Sequence, residues 1–140
     1  MKIKNFAIAT ALFASFATFA QKDELKSADK SLKGGNPAEA KTTLETVELK
    51  IVNAEEALKA QYYFLLGNTN LELAKKKVEE GKNLLAAAKA YNELVSIENN
   101  LGKVKYTTQA QASLKEVKGL LTNSAIADNN QKKYKESALK

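Results

Sequence analysis

Two adjacent carboxylate pairs, Glu55-Glu56 and Glu79-Glu80, are the first places to look for acid–base chemistry in this chain. A glycosidase-type dyad needs two carboxyl groups converging across one bond, roughly 5 to 10 Å apart. Adjacent positions on a helix do not face each other, so neither pair converges. Both read instead as charge at helix ends. Histidine, cysteine, arginine and tryptophan are all absent. Carboxylates, lysines, tyrosines and hydroxyls are left for catalysis, and no spacing among them sets an acid, a base and a nucleophile together. The chain is expected to be non-enzymatic.

Metal and cofactor chemistry fare no better. A calcium loop places oxygen ligands at alternating positions around a turn glycine. VEEGKN at 78–83 lacks that alternation, and DNNQKK at 128–133 has amides but one acid. Gly34-Gly35 lacks both the GxxxxGK[ST] spacing and the preceding strand of a phosphate loop. We expect no metal and no cofactor. The aromatic run Tyr62-Tyr63-Phe64 is different, because three consecutive helical side chains point in different directions and at least one ring must leave its own hairpin core. It is either a second packing surface or a ligand platform.

The elements that must position these residues are helices. Gly34 and Gly35 permit the left-handed backbone that ends a helix near Lys33. Asn36 and Pro37 suit the start of the next, with Glu39 completing an N-x-x-E capping box. Ala40, Leu44, Val47 and Ile51 then recur on one face, opposite Leu25, Ala28 and Leu32 of the preceding helix. A second capping signal at Asn53 and Glu56 opens a long helix, with Leu58, Tyr62, Leu65, Leu66, Thr69 and Leu73 on one face. It is expected to run through LELAKKKVEE to Gly81. Asn83 is the expected cap of the next helix, which carries Ala87, Tyr91, Leu94 and Val95. ENNLGKVKY at 98–106 reads as a connection. Thr108 and Gln111 cap a further helix through Ala110, Leu114, Val117, Leu121 and Ala125. ADNNQKK ends it, and Tyr134, Ser137 and Ala138 open another that stops unfinished at Lys140. The pattern predicts a truncated last repeat. No stretch shows the two-residue alternation of strands, so the fold class is all-α.

The first twenty residues stand apart. Lys2 and Lys4, an apolar run from Phe6, and small residues at Thr18 and Ala20 have the form of a secretory signal peptide cleaved after Ala20. No cysteine follows, which excludes lipid attachment there. The expected localisation is exported, periplasmic or extracellular, with no membrane insertion after cleavage. The mature chain, 21–140, would carry 20 lysines against 16 acidic residues, a net +4 where the precursor has +6. Lysines interleave with glutamates and there is no arginine fork to read phosphate or guanine, so nucleic acid is not an expected partner. Without disulfides, stability must come from packing.

GNPAEA at 35–40, YYFLLGN at 62–68, AAAKAY at 86–91 and KKYKESA at 132–138 resemble the tetratricopeptide repeat family. The resemblance implies antiparallel helical hairpins stacked as a short solenoid of the kind found in exported proteins of bacterial envelopes. In that family a small residue stands where the first helix meets the second, here Ala28, Gly67 and Ala125. Another stands early on the second helix, four residues before a bulky one. Ala40 with Leu44 and Ala87 with Tyr91 match, and Ser137 matches without its partner. The period departs: 39 residues separate Ala28 from Gly67 and 58 separate Gly67 from Ala125, against about 34 in the family. The family's carboxylate clamp does not carry over, since Leu25, Asp29, Leu65, Gly119 and Asn123 stand at its positions.

The resemblance also implies that first helices line a concave groove. On the second hairpin Gln61, Phe64, Asn68, Leu71 and Glu72 would face it. The expected function is a protein–protein interaction scaffold for a protein or peptide of the cell envelope. The alternative is a structural helical domain that packs on further repeats or self-associates.

Overall fold

In the computed structural model the described backbone covers residues 4–138, with side chains from 19 to 138 except Glu136. Five helices follow in order: α1 (Lys4–Lys33), α2 (Pro37–Ile51), α3 (Glu56–Lys75), α4 (Glu80–Leu101) and α5 (Thr107–Ala138). Among the described residues there is no strand, and no helix is long and apolar enough to cross a membrane. The expected signal peptide falls mostly on side chains outside the described set. The described exposure changes at the expected cleavage point: Phe19 and Ala20 are exposed, whereas Gln21 is buried.

Each helix packs on its neighbour in sequence, and α3 also touches α1 and α5. The interior divides into two clusters. Leu25 and Ala28 of α1, Ala40, Leu44, Val47 and Ile51 of α2, and Leu58, Tyr62 and Leu65 of α3 form the first. Ala60, Leu71 and Ala74 of α3, with Leu84, Ala87, Tyr91 and Leu94 of α4 and Ala110 and Val117 of α5, form the second. Burying one such leucine or valine is worth roughly 1.5–3 kcal/mol, and here that burial stands in for disulfides. Tyr63 packs against both clusters and joins them.

Three helices close by the same device. Asn36 N donates to Ser31 O (2.9 Å) and Gly35 N to Leu32 O (3.0 Å) around Gly35 at φ +80°. Lys103 and Gly102 repeat the pattern at the end of α4, with Gly102 at φ +63°. At the end of α3 the left-handed residue is Lys77, φ +63°, with Val78 N donating to Leu73 O (3.0 Å). These are Schellman closures, in which one left-handed residue lets the last carbonyls find donors.

Several expected boundaries are corrected. Asn36 precedes α2, but its side chain makes no capping bond, and the Asn36/Glu39 box is not formed. α3 begins at Glu56 behind Glu55, so Asn53 is no cap. α3 stops at Lys75 rather than at Gly81, which is the second residue of α4. The elbow is held from outside: Lys76 Nζ donates to Gly35 O at 2.6 Å, and Asn83 Nδ2 donates to Val78 O at 2.7 Å. Asn83 therefore lies inside α4, buried, binding the elbow from within the helix and accepting from Lys41 Nζ at 3.1 Å. α4 extends to Leu101, which shortens the connection, and α5 starts at Thr107, one residue ahead of the expected cap at Thr108. Finally, α5 runs unbroken through ADNNQKK, so no further hairpin opens at Tyr134. Asn and Asp cost only up to about 0.7 kcal/mol each in a helix, and no proline or glycine is there to break it. Ala125 and Ser137, expected at helix crossings, are both exposed.

Candidate functional site

α1, α3 and α5 lie side by side, and a cleft runs between them as two adjoining cavities of about 460 and 350 Å³. Helical spacing decides which side chains reach it. On α3 the series Gln61, Phe64, Asn68, Leu71, Glu72 and Lys75 follows one face. On α5 Gln109, Ser113 and Glu116 do the same, and Asp29, Leu32 and Lys33 close the far wall from α1. All five groove residues expected from sequence thus line one cleft.

They do not contribute alike. Leu71 is buried and serves chiefly as floor. Phe64 is half-buried and stacks on Tyr106, with ring centroids 4.6 Å apart and planes inclined by 19°. Lys105 Nζ stands over the same tyrosine ring, 4.8 Å from its centroid. Asn68 Oδ1 accepts from the Tyr91 hydroxyl at 2.7 Å. Tyr91 itself is fully buried, having crossed from α4 beneath the cleft floor. Burial first pushes its phenol up to about 12, against the opposing pull of Ser113. At one end of the cleft Lys75 Nζ bridges Glu72 (3.1 Å) and Glu116 (2.9 Å), and the Glu116 bond leads in raising its pKa. On the α1 wall, where the two cavities adjoin, Lys33 Nζ pairs with Asp29 at 2.6 Å. Each described charge in the cleft therefore has its partner beside it. Gln61, Asn68 and Gln109 supply neutral amides between them.

Comparison with family models, with curated proteins and with solved structures finds no match for this chain. The cleft must be judged on its own chemistry. It offers one stacked aromatic pair, three amides able to donate and accept, a neutral Asp29–Lys33 pair, and Lys75 held between Glu72 and Glu116 with one negative charge left over.

The candidate catalytic carboxylates lie elsewhere and apart. Glu55 is exposed, Glu56 pairs with Lys59 (2.7 Å), Glu79 with Lys82 (3.0 Å) and Glu80 with Lys77 (2.8 Å). The three aromatics of the 62–64 run separate as their spacing requires: Tyr62 enters the first cluster, Tyr63 lies between the two, and Phe64 reaches the cleft. Sequence reasoning missed the α5 wall and Tyr106. The polar spacing Gln109, Ser113, Glu116, at i, i+4 and i+7, was the available signal.

Glu98 was also missed. It is buried near the end of α4 and caps α5 from outside, accepting from Lys105 N (3.0 Å), Tyr106 N (2.9 Å), Thr107 N (2.8 Å) and Thr107 Oγ1 (2.8 Å). Burial alone would raise its carboxyl, but the bonds from Thr107, Tyr106 and Lys105 outweigh that and hold it below the usual value. This one side chain fixes where α5 begins, and so where Tyr106 meets Phe64.

Proposed function

We propose that the chain is a non-enzymatic binding scaffold, an exported tetratricopeptide-like solenoid that takes an extended protein or peptide segment of the cell envelope into the α1–α3–α5 cleft. The observation that carries the reading is that the three odd-numbered helices share one cleft lined by Gln61, Phe64, Asn68, Leu71 and Glu72. Amides beside internally paired charges suit the main-chain groups of an extended peptide, and the Phe64–Tyr106 stack offers an anchor for an apolar side chain.

The test uses peptides enriched from a random library on the wild-type chain. Phe64→Ala should weaken them about tenfold or more, and Gln109→Arg, at an exposed position on α5, should block the same peptides without touching the core. Far-UV dichroism and melting report folding in parallel. Undiminished binding to both variants would reject the cleft.

One observation favours a second reading, a structural domain that self-associates. The distal part of α5 stands clear of the rest of the described chain, with Ile126 and Tyr134, two turns apart, exposed by 54% and 77%. Light scattering across concentrations separates the readings: a monomer at all concentrations supports the scaffold, and concentration-dependent assembly lost in Ile126→Lys/Tyr134→Lys supports the other.

A further inference from the structure

A second cavity, of about 450 Å³, lies between α2 and α4 on the face of α3 turned away from the cleft. Tyr62 and Tyr63 contribute to its lining, their rings 5.2 Å apart and edge-on at 72°. Tyr62 is 3% exposed and lines the cavity, and its hydroxyl forms no hydrogen bond to another described residue. Glu48 stands on the α2 wall and Glu93 on the α4 wall, and neither forms an ion pair among the described residues. Lys89, one turn before Glu93, is the third charged lining residue and leaves the lining at net −1. After burial itself, Glu48 is the next influence raising the Tyr62 phenol, and Glu93 the next raising that of Tyr63. The field of both carboxylates therefore reaches the aromatic floor. This acidic, aromatic hollow belongs to a chain with net charge +6.

We propose that the α2–α3–α4 cavity binds a primary alkylammonium group, supplied by a free aliphatic amine or by a lysine side chain. The ammonium donates to the Tyr62 hydroxyl oxygen and lies between Glu48 and Glu93, and the alkyl stem covers Ile51 and Leu66. A neutral guest of the same shape gains the apolar contact alone. This site is independent of the peptide cleft.

The experiment titrates the full-length chain, by calorimetry and by the ring resonances of its tyrosines, with n-butylammonium, with n-butanol as neutral counterpart and with a lysine blocked at both ends. n-Butylammonium should bind saturably and about tenfold more tightly than n-butanol, with Tyr62 and Tyr63 shifting. Blocked lysine binding as well as n-butylammonium identifies a side chain as the source, and its exclusion identifies a free amine. Glu48→Gln/Glu93→Gln should lose about tenfold and Tyr62→Phe at least about threefold, while Phe64→Ala changes nothing. Glu48 and Glu93 are exposed, so the double variant keeps its fold, checked by melting. Equal affinity for n-butanol, absence of saturable binding by n-butylammonium, or full affinity in the folded double variant would each overturn the proposal.

Discussion

The Tyr91 ring lies directly on the α3 backbone at Gly67, where an added Cβ would come within 2.5 Å of Tyr91 Cε1. α3 has the most extensive helix contact with α4, and this glycine permits the approach. In an exposed helix, glycine to alanine gains about 1 kcal/mol of helix propensity. Here the opposing clash meets three atoms of a fully buried ring that cannot swing aside. Overpacking of that kind costs about 1–3 kcal/mol. Gly67→Ala should therefore destabilise the chain, seen as a lower denaturant midpoint with an unchanged slope. A higher midpoint would mean the ring has room that this packing denies it.

The same tyrosine gives a pH signature. Burial raises the phenols of both Tyr91 and Tyr62 above the ordinary 10.0, Tyr91 to about 12. A group whose folded pKa lies above its unfolded value stabilises the fold below the unfolded value and loses that contribution as pH rises through the folded one. Stability should hold up to about pH 10 and fall between 10 and 12. Followed by phenolate absorbance, Tyr91 and Tyr62 should ionise only together with unfolding. Tyr91→Phe, which removes the bond to Asn68, should cost about 1 kcal/mol at neutral pH and leave less alkaline loss. Five tyrosines titrating freely at pH 10 in the folded chain would contradict the packing described.

Glu98 sets the opposite, acidic limit. Its carboxyl lies below the ordinary 4.5 because its hydrogen bonds to the start of α5 outweigh its burial. Its contribution is complete above the unfolded value of 4.5 and is lost as pH falls through the folded one. Glu98→Gln substitutes an amide that can accept at one atom only, and should cost about 2 kcal/mol at pH 7. The gap between wild type and variant should narrow below about pH 4.5. A gap constant from pH 7 to pH 3 would show that the charge is not what holds the cap.

How much of this could be read beforehand depended on whether a residue type announces its backbone. Gly-Gly-Asn-Pro does, and the α1–α2 hairpin was legible to within a residue. Lys77 and Glu79 do not: both take positive φ, +63° and +38°, in a lysine- and glutamate-rich stretch that reads as continuing helix. Glu98 reads as the first residue of the 98–106 connection, and nothing in its type announces that the loop folds back over it. The α3 side of the cleft followed from the groove that the tetratricopeptide resemblance implies, whereas its α5 side depends on the register that Glu98 imposes. The continuity of α5 was misjudged because asparagine-rich sequence weakens a helix without ending it.

The amino-terminal boundary yields the last prediction. Gln21 is 6% exposed and its Nε2 donates to Lys50 O at 3.1 Å, while Glu24 pairs with Lys50 Nζ at 2.9 Å. Leu25 and Ala28 follow in the first cluster. The described packing of α1 thus begins at the residue that the proposed cleavage after Ala20 would make first, and cutting there spares all of it. A chain starting at Gln21 should melt within a few degrees of the full-length chain. Removing four residues more should cost clearly more, since both Gln21 and Glu24 lose their hold on α2, together worth about 1–2 kcal/mol. Intact mass of the chain recovered from an export-competent host should correspond to 21–140. Recovery of the full-length chain alone would remove the basis for placing the mature terminus at Gln21.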